Sequence, residues 1–184
     1  MRHLLEEFMG LVAQEKVEIY NEFSFQHELG IFLRNHMPNQ KIQFERNVSF
    51  FSFKLMKEHF VKKEIDICVY SDKELFAAIE LKFPRNGQIP EQMYSFCKDI
   101  QFLEQLKQSG FKNAYFLVYC EDKGFYQGDA KGIYRHFRAG ETLTGEITKP
   151  TGKQGDNKVL ISSSYQPRWQ DVKGSGKFYL ETIA

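Results

Sequence analysis

Asp66, Glu80 and Lys82 are the most informative trio in the chain. Residues 64–70 alternate as a strand in which Ile65, Ile67 and Val69 share one face and Asp66 takes the other. Residues 75–83 alternate again, with Leu75, Ala77, Ile79 and Leu81 on one face and Ala78, Glu80 and Lys82 on the other. Ser71, Asp72 and Lys73 supply a turn short enough to make the two strands antiparallel neighbours. Neighbouring strands lie about 4.8 Å apart, so Asp66 and Glu80 can reach one hard cation such as Mg²⁺ or Mn²⁺. Such an ion polarises a phosphoryl oxygen and acidifies a bound water. Lys82, about 6.6 Å beyond Glu80 on the same face, can orient that water or neutralise charge developing on phosphate. A Glu and a Lys two apart are common on solvated hairpins. Here the neighbours are Phe76, Ala77, Ala78, Ile79, Leu81 and Phe83, so the pair sits in an apolar strand.

The surrounding elements are legible as periodic patterns. Residues 2–15 place Leu4, Leu5, Phe8, Leu11 and Val12 at helical spacing. A second helix is expected over 24–35, with Ser24 as its N-cap and Phe25, Leu29, Phe32 and Leu33 as its apolar face. Glu28 falls on that face, where an unpaired carboxylate is costly. Ile42, Phe44, Val48 and Phe50 read as a strand. Residues 90–109 form an amphipathic helix with Pro90 in its first turn and Gly110 as its stop. Residues 114–120 are a continuous apolar run, the signature of a strand buried on both faces. Strand, helix and buried strand in that order imply a parallel crossover.

Taken with this element order, Asp66 followed by Glu80-Leu81-Lys82 resembles the PD-(D/E)XK motif of restriction-endonuclease-like phosphodiesterases. The resemblance covers residues 22–120 and implies an α/β fold, with a mixed central β-sheet flanked by helices. It implies Asp66 and Glu80 as metal ligands, Lys82 as the catalytic lysine, and Mg²⁺ or Mn²⁺ as the cofactor. An acid from the first core helix often joins the metal in that family, which assigns Glu28 to the site. Ile65 stands where the family often has proline, and Gln92 is followed four residues on by Phe96 rather than tyrosine. The implied activity is hydrolysis of phosphodiester bonds in DNA, in restriction, defence or repair. The alternatives are a non-catalytic module of the same fold, binding nucleic acid or protein, and an enzyme acting on RNA.

Gln92 and Asp99 lie seven apart on one flank of the 90–109 helix, where they either face the site or mark an ordinary boundary. Glu45 is out of phase with the apolar side of its strand, as a further ligand or a solvent-facing residue. Lys54, Lys57, His59, Lys62 and Lys63 form a basic cluster that could touch phosphate but reads first as solvated surface. The same holds for Arg85, Lys149, Lys153 and Lys158, whereas Tyr165 and Trp169 read as core.

With 184 residues and a net charge of +1, the chain is one domain's worth of sequence, and any phosphate-binding surface must be local. So small a chain must read a duplex through its C-terminal third, a homodimer or a partner protein. Cys68, Cys97 and Cys120 lack any paired spacing and fall in apolar runs, which points to a reducing cytoplasm. No apolar run is long enough to span a membrane. Nine of 13 glycines follow residue 120. That third therefore reads as a strand and loop extension, with short strands at 132–137, 159–165 and 178–182 and a loop or hairpin over 139–157.

Overall fold

The structure, a computed structural model, describes residues 1–53, 60–85, 87–151, 157–174 and 176–184. Helix α1 (Arg2–Ala13) buries Leu5, Phe8, Met9 and Val12. Helix α2 (Glu22–His36) starts two residues earlier than the sequence predicts. Asn21, not Ser24, is the N-cap: its side chain accepts the Ser24 N–H at 2.7 Å, while its own N–H donates to Ser24 Oγ at 3.1 Å. This reciprocal cap satisfies two otherwise orphaned groups and brings Glu22 into the first turn.

Strand β1 (Lys41–Asn47) ends in a 3₁₀ turn, Val48–Phe51, so Val48 and Phe50 lie beyond the strand expected to include them. Strands β2 (Glu64–Ser71) and β3 (Glu74–Lys82) complete an antiparallel meander with β1. Helix α3 (Ile89–Gln108) then returns the chain to β4 (Asn113–Cys120), which pairs parallel to β3. The C-terminal β8 (Lys177–Thr182) pairs antiparallel with β4 and with the two-residue β7 (Gln170–Asp171). The mixed sheet thus runs β1-β2-β3-β4-β8-β7.

Each face of the sheet carries its own apolar core. One holds α1 and α2 against Ile67, Val69, Ala77, Ile79, Leu81 and Leu117. The other holds α3 against Cys68, Ala78, Phe116 and Val118. Two residues fall on the opposite face from the one expected. Leu75 packs toward α3 and Phe76 toward α1 and α2, because Phe76 is the extra residue of a bulge where the register against Val69 and Tyr70 shifts. A bulge of one residue inverts the alternation beyond it. Ile65 also joins the α3 core, beyond the irregular point where Glu45 takes a φ of 48° opposite Asp66.

The expected strand at 132–137 is instead helical: α4 (Tyr134–Arg138) follows Ile133, and Ile133 and Phe137, four apart, both reach the α3-side core. Of the loop or hairpin expected over 139–157, the hairpin is what forms: β5 (Leu143–Thr148) pairs with β6 (Lys158–Tyr165), apart from the main sheet; residues 152–156 lie outside those described. Leu143, Ile147, Val159 and Ile161 bury against the α3-side core. Glu104 of α3 fastens the hairpin by accepting the N–H groups of Ser162 and Ser163, both at 2.8 Å, and the Tyr165 hydroxyl at 2.9 Å. Among the described residues no helix is long and apolar enough to cross a membrane.

Candidate active site

The β2–β3 ladder gives way where the two acids stand. Ile67 still faces Ile79 across the pair, but the next link is made by side chains. The Leu81 N–H donates to Asp66 Oδ2 at 2.7 Å, and the Asp66 N–H donates to Glu80 Oε1 at 3.2 Å. Each carboxylate therefore substitutes for a backbone acceptor and is held rigidly. Asp66 is 9% exposed and Glu80 fully buried. Burial pushes the Asp66 carboxyl up to about 6, against the pull of Lys62 and Lys82. Burial, reinforced by the charge of Asp66, pushes Glu80 well above the usual carboxylate range.

Asp99 completes the acidic set from α3. It is 2% exposed, with Phe96 three residues before it and Leu103 four after, so it lies on the face that α3 turns to the sheet. The sequence marks it only by its place seven residues after Gln92 on one flank of this helix, with an ordinary boundary position as the alternative. Gln92 is not brought in. Its side chain donates to the carbonyls of Arg85 (3.1 Å) and Gly87 (2.8 Å), closing the loop that leads into α3.

Two lysines neutralise the acids. Lys82 donates to the Leu81 carbonyl at 2.9 Å and lies 3.3 Å from Asp99 Oδ2 and 3.4 Å from Glu22 Oε1. Lys62, expected on a solvated surface, instead extends its ammonium into the pocket. It hydrogen-bonds Glu80 Oε2, lies 2.8 Å from Asp99 Oδ1 and 3.9 Å from Asp66 Oδ1. Burial alone would lower both lysines. The facing carboxylates outweigh it and hold both above the ordinary lysine range. Of the same basic cluster, Lys63 is exposed, and Lys54, Lys57 and His59 lie outside the described residues. Lys149 and Lys158 pair with Glu91 and Glu146, Arg85 sits over the Phe83 ring, and Lys153 is outside those described.

Helix α2 contributes Glu22 and Gln26, not Glu28. Besides meeting Lys82, Glu22 accepts the Phe83 N–H at 3.2 Å. Gln26, buried one turn on, donates to the Asp66 carbonyl at 2.8 Å and to Glu45 Oε1 at 2.7 Å. Successive helical residues turn by about 100°, so Glu28, two beyond Gln26, points away from the sheet. It is half-exposed, 3.6 Å from His27. Glu45 is solvent-exposed and, among the described residues, is linked to the site through Gln26.

The donor set suits a hard divalent ion in kind: carboxylate oxygens, one of which, Asp99 Oδ2, is buried without a hydrogen-bond partner though it faces Lys82. In position the set is not yet a cage. Among the described residues no three His, Cys, Asp or Glu side chains converge closely enough to hold a metal. What the three acids share is the Lys62 ammonium. No family model matches the chain, and neither a curated protein nor a solved structure matches it.

Proposed function

We propose that this protein is a metal-dependent nuclease of the PD-(D/E)XK type, hydrolysing phosphodiester bonds in nucleic acid, with DNA the favoured substrate. The observation that supports it is the junction of Asp66, Glu80, Asp99 and Lys82 where the β2–β3 ladder opens. Three buried carboxylates are expensive to hold together without facing cations, and they form a set that binds positive charge, as Lys62 and Lys82 already show. In this reading Asp66 and Glu80 hold Mg²⁺ or Mn²⁺, with Asp99 beside them. The ion's contribution when bound is Lewis-acid polarisation of phosphate and a more acidic water. Asp66 is fixed by the Leu81 N–H, so it is oriented before any substrate arrives. Lys82, held between Asp99, Glu22 and the Leu81 carbonyl, sets a positive charge beside the carboxylates, where it can steady the negative charge that grows on phosphate. Glu22 and Gln26 act through Lys82 and the Asp66 backbone and are positioning residues.

The second reading is a non-catalytic module of the same fold that binds nucleic acid or protein. Lys62 favours it, since an ammonium bound to these acids is also what a purely structural cluster would contain. The two readings separate on incubation with plasmid DNA, single-stranded DNA and RNA in Mg²⁺, Mn²⁺ or EDTA. Cleavage of DNA with either metal, and none in EDTA, is the expected result. An inert protein on every substrate and metal would overturn the nuclease and leave the module.

A further inference from the structure

Resting on the metal-dependent reading above, we infer that Lys62 is a built-in competitor for the divalent ion: its ammonium holds the carboxylate pocket, and the ion binds only by displacing it. Within the described residues, Lys62 is the cation that touches all three acids, through Glu80 Oε2, Asp99 Oδ1 and Asp66 Oδ1. Lys82 lies to the side, on Asp99 and Glu22. Counting the buried acids alone and leaving aside the half-exposed Glu22, Asp66, Glu80 and Asp99 ionised against Lys62 and Lys82 leave the pocket with one net negative charge. A divalent ion in place of Lys62 makes it neutral. The exchange is therefore favourable in charge, while like-charge repulsion disfavours Lys62 and the ion together.

The means of exchange is also present. The backbone around Lys62 is anchored on both sides. The Val61 N–H donates to Gln105 Oε1 at 3.0 Å, the Lys63 carbonyl accepts the Val48 N–H at 2.8 Å, and the Phe60 ring meets Phe102 edge-on at 6.0 Å. The four-carbon stem is free of those anchors. Its side chain is 28% exposed, so rotation about its own bonds can carry the ammonium out to water without moving β2 or α3. In this arrangement the protein trades intrinsic metal affinity for stability of the ion-free fold. It also accounts for why, among the described residues, no three acids converge to form a cage: Asp66, Glu80 and Asp99 are spaced around an ammonium.

The test is titration of the 184-residue chain with Mn²⁺ by calorimetry, wild type against Lys62→Met, which keeps the stem and removes the charge. The variant should bind Mn²⁺ at least about ten-fold more tightly. It should melt below wild type in EDTA and gain more than wild type from added Mn²⁺. Lys62→Gln, whose amide can still donate to Glu80, carries the same comparison if Lys62→Met does not fold. Equal or weaker Mn²⁺ binding by a folded variant, beside measurable binding by wild type, overturns the competitor and leaves the nuclease reading standing. Failure of both proteins to bind Mn²⁺ overturns the metal-dependent reading itself, and the competitor with it.

Discussion

Glu80 accepts a hydrogen bond from its own sheet and another from Lys62, and it has no exposure to water. Replacing it with Gln keeps the shape and removes a formal charge from the cation-binding set. Lys82→Ala removes the ammonium beside Asp99. Under the nuclease reading each change should lower the cleavage rate by roughly 10²–10³, the usual effect of deleting one preorganised electrostatic partner. The measurement is metal-dependent cleavage at equal folded concentration, with melting curves as the control; full activity in either variant would remove the proposed roles. Asp66, Glu80 and Lys82 were legible because strand alternation places them together and their neighbours are apolar. Lys62, Gln26 and Glu22 were not. Lysine in a charged run reads as solvated surface, and a cap at Asn21 instead of Ser24 changes which residues begin α2. Glu28 stands out in the sequence as an acid on an apolar face, but α2 turns that residue to solvent and turns Gln26 inward.

Helix α2 is the element whose local chemistry matters most to the site, because its first turns carry Glu22 and Gln26. Asn21→Ala removes the cap that accepts the Ser24 N–H and should cost about 1 kcal/mol of stability. It should also reduce activity, because Lys82 and the Asp66 carbonyl lose a fixed partner. Urea denaturation beside a cleavage assay tests both; an unchanged midpoint would show the cap to be dispensable. Helix α3 is tied to the β5–β6 hairpin through Glu104. Glu104→Gln turns one of its two acceptors into a donor that must face an N–H or O–H donor, which should cost about 1–3 kcal/mol. A midpoint within error of wild type would mean that the hairpin does not depend on this carboxylate. The existence of α1 to α3 and of β1 to β3 is readable from period, and that of β4 from its continuous apolar run. The bulge at Phe76 is not, because alternation carries no mark of where one residue is skipped.

At the scale of the whole molecule, the C-terminal third was the least legible part. Its elements are short, and their pattern is completed only by the core they cover: Ile133 and Phe137 fit either period until α3 is there to receive them. The α3-side core also encloses all three cysteines, Cys68 on β2, Cys97 on α3 and Cys120 on β4, each with no exposure. Burial pushes the Cys68 thiol up to about 11, that of Cys120 up to about 12, and that of Cys97 further still. The thiolate is the reactive form, so at pH 8 the folded chain offers neither access nor nucleophile. Exposing any of the three requires α3 and the sheet to part. A chromogenic disulfide reagent at pH 8 should therefore leave the folded protein unlabelled for as long as it stays folded, and should label three thiols once denaturant is added. At denaturant concentrations near the unfolding midpoint the three should react with a single rate constant, set by opening of the core. One thiol labelled quickly in buffer would show that the α3 face opens locally, and that the hairpin and α4 close it less firmly than their packing implies.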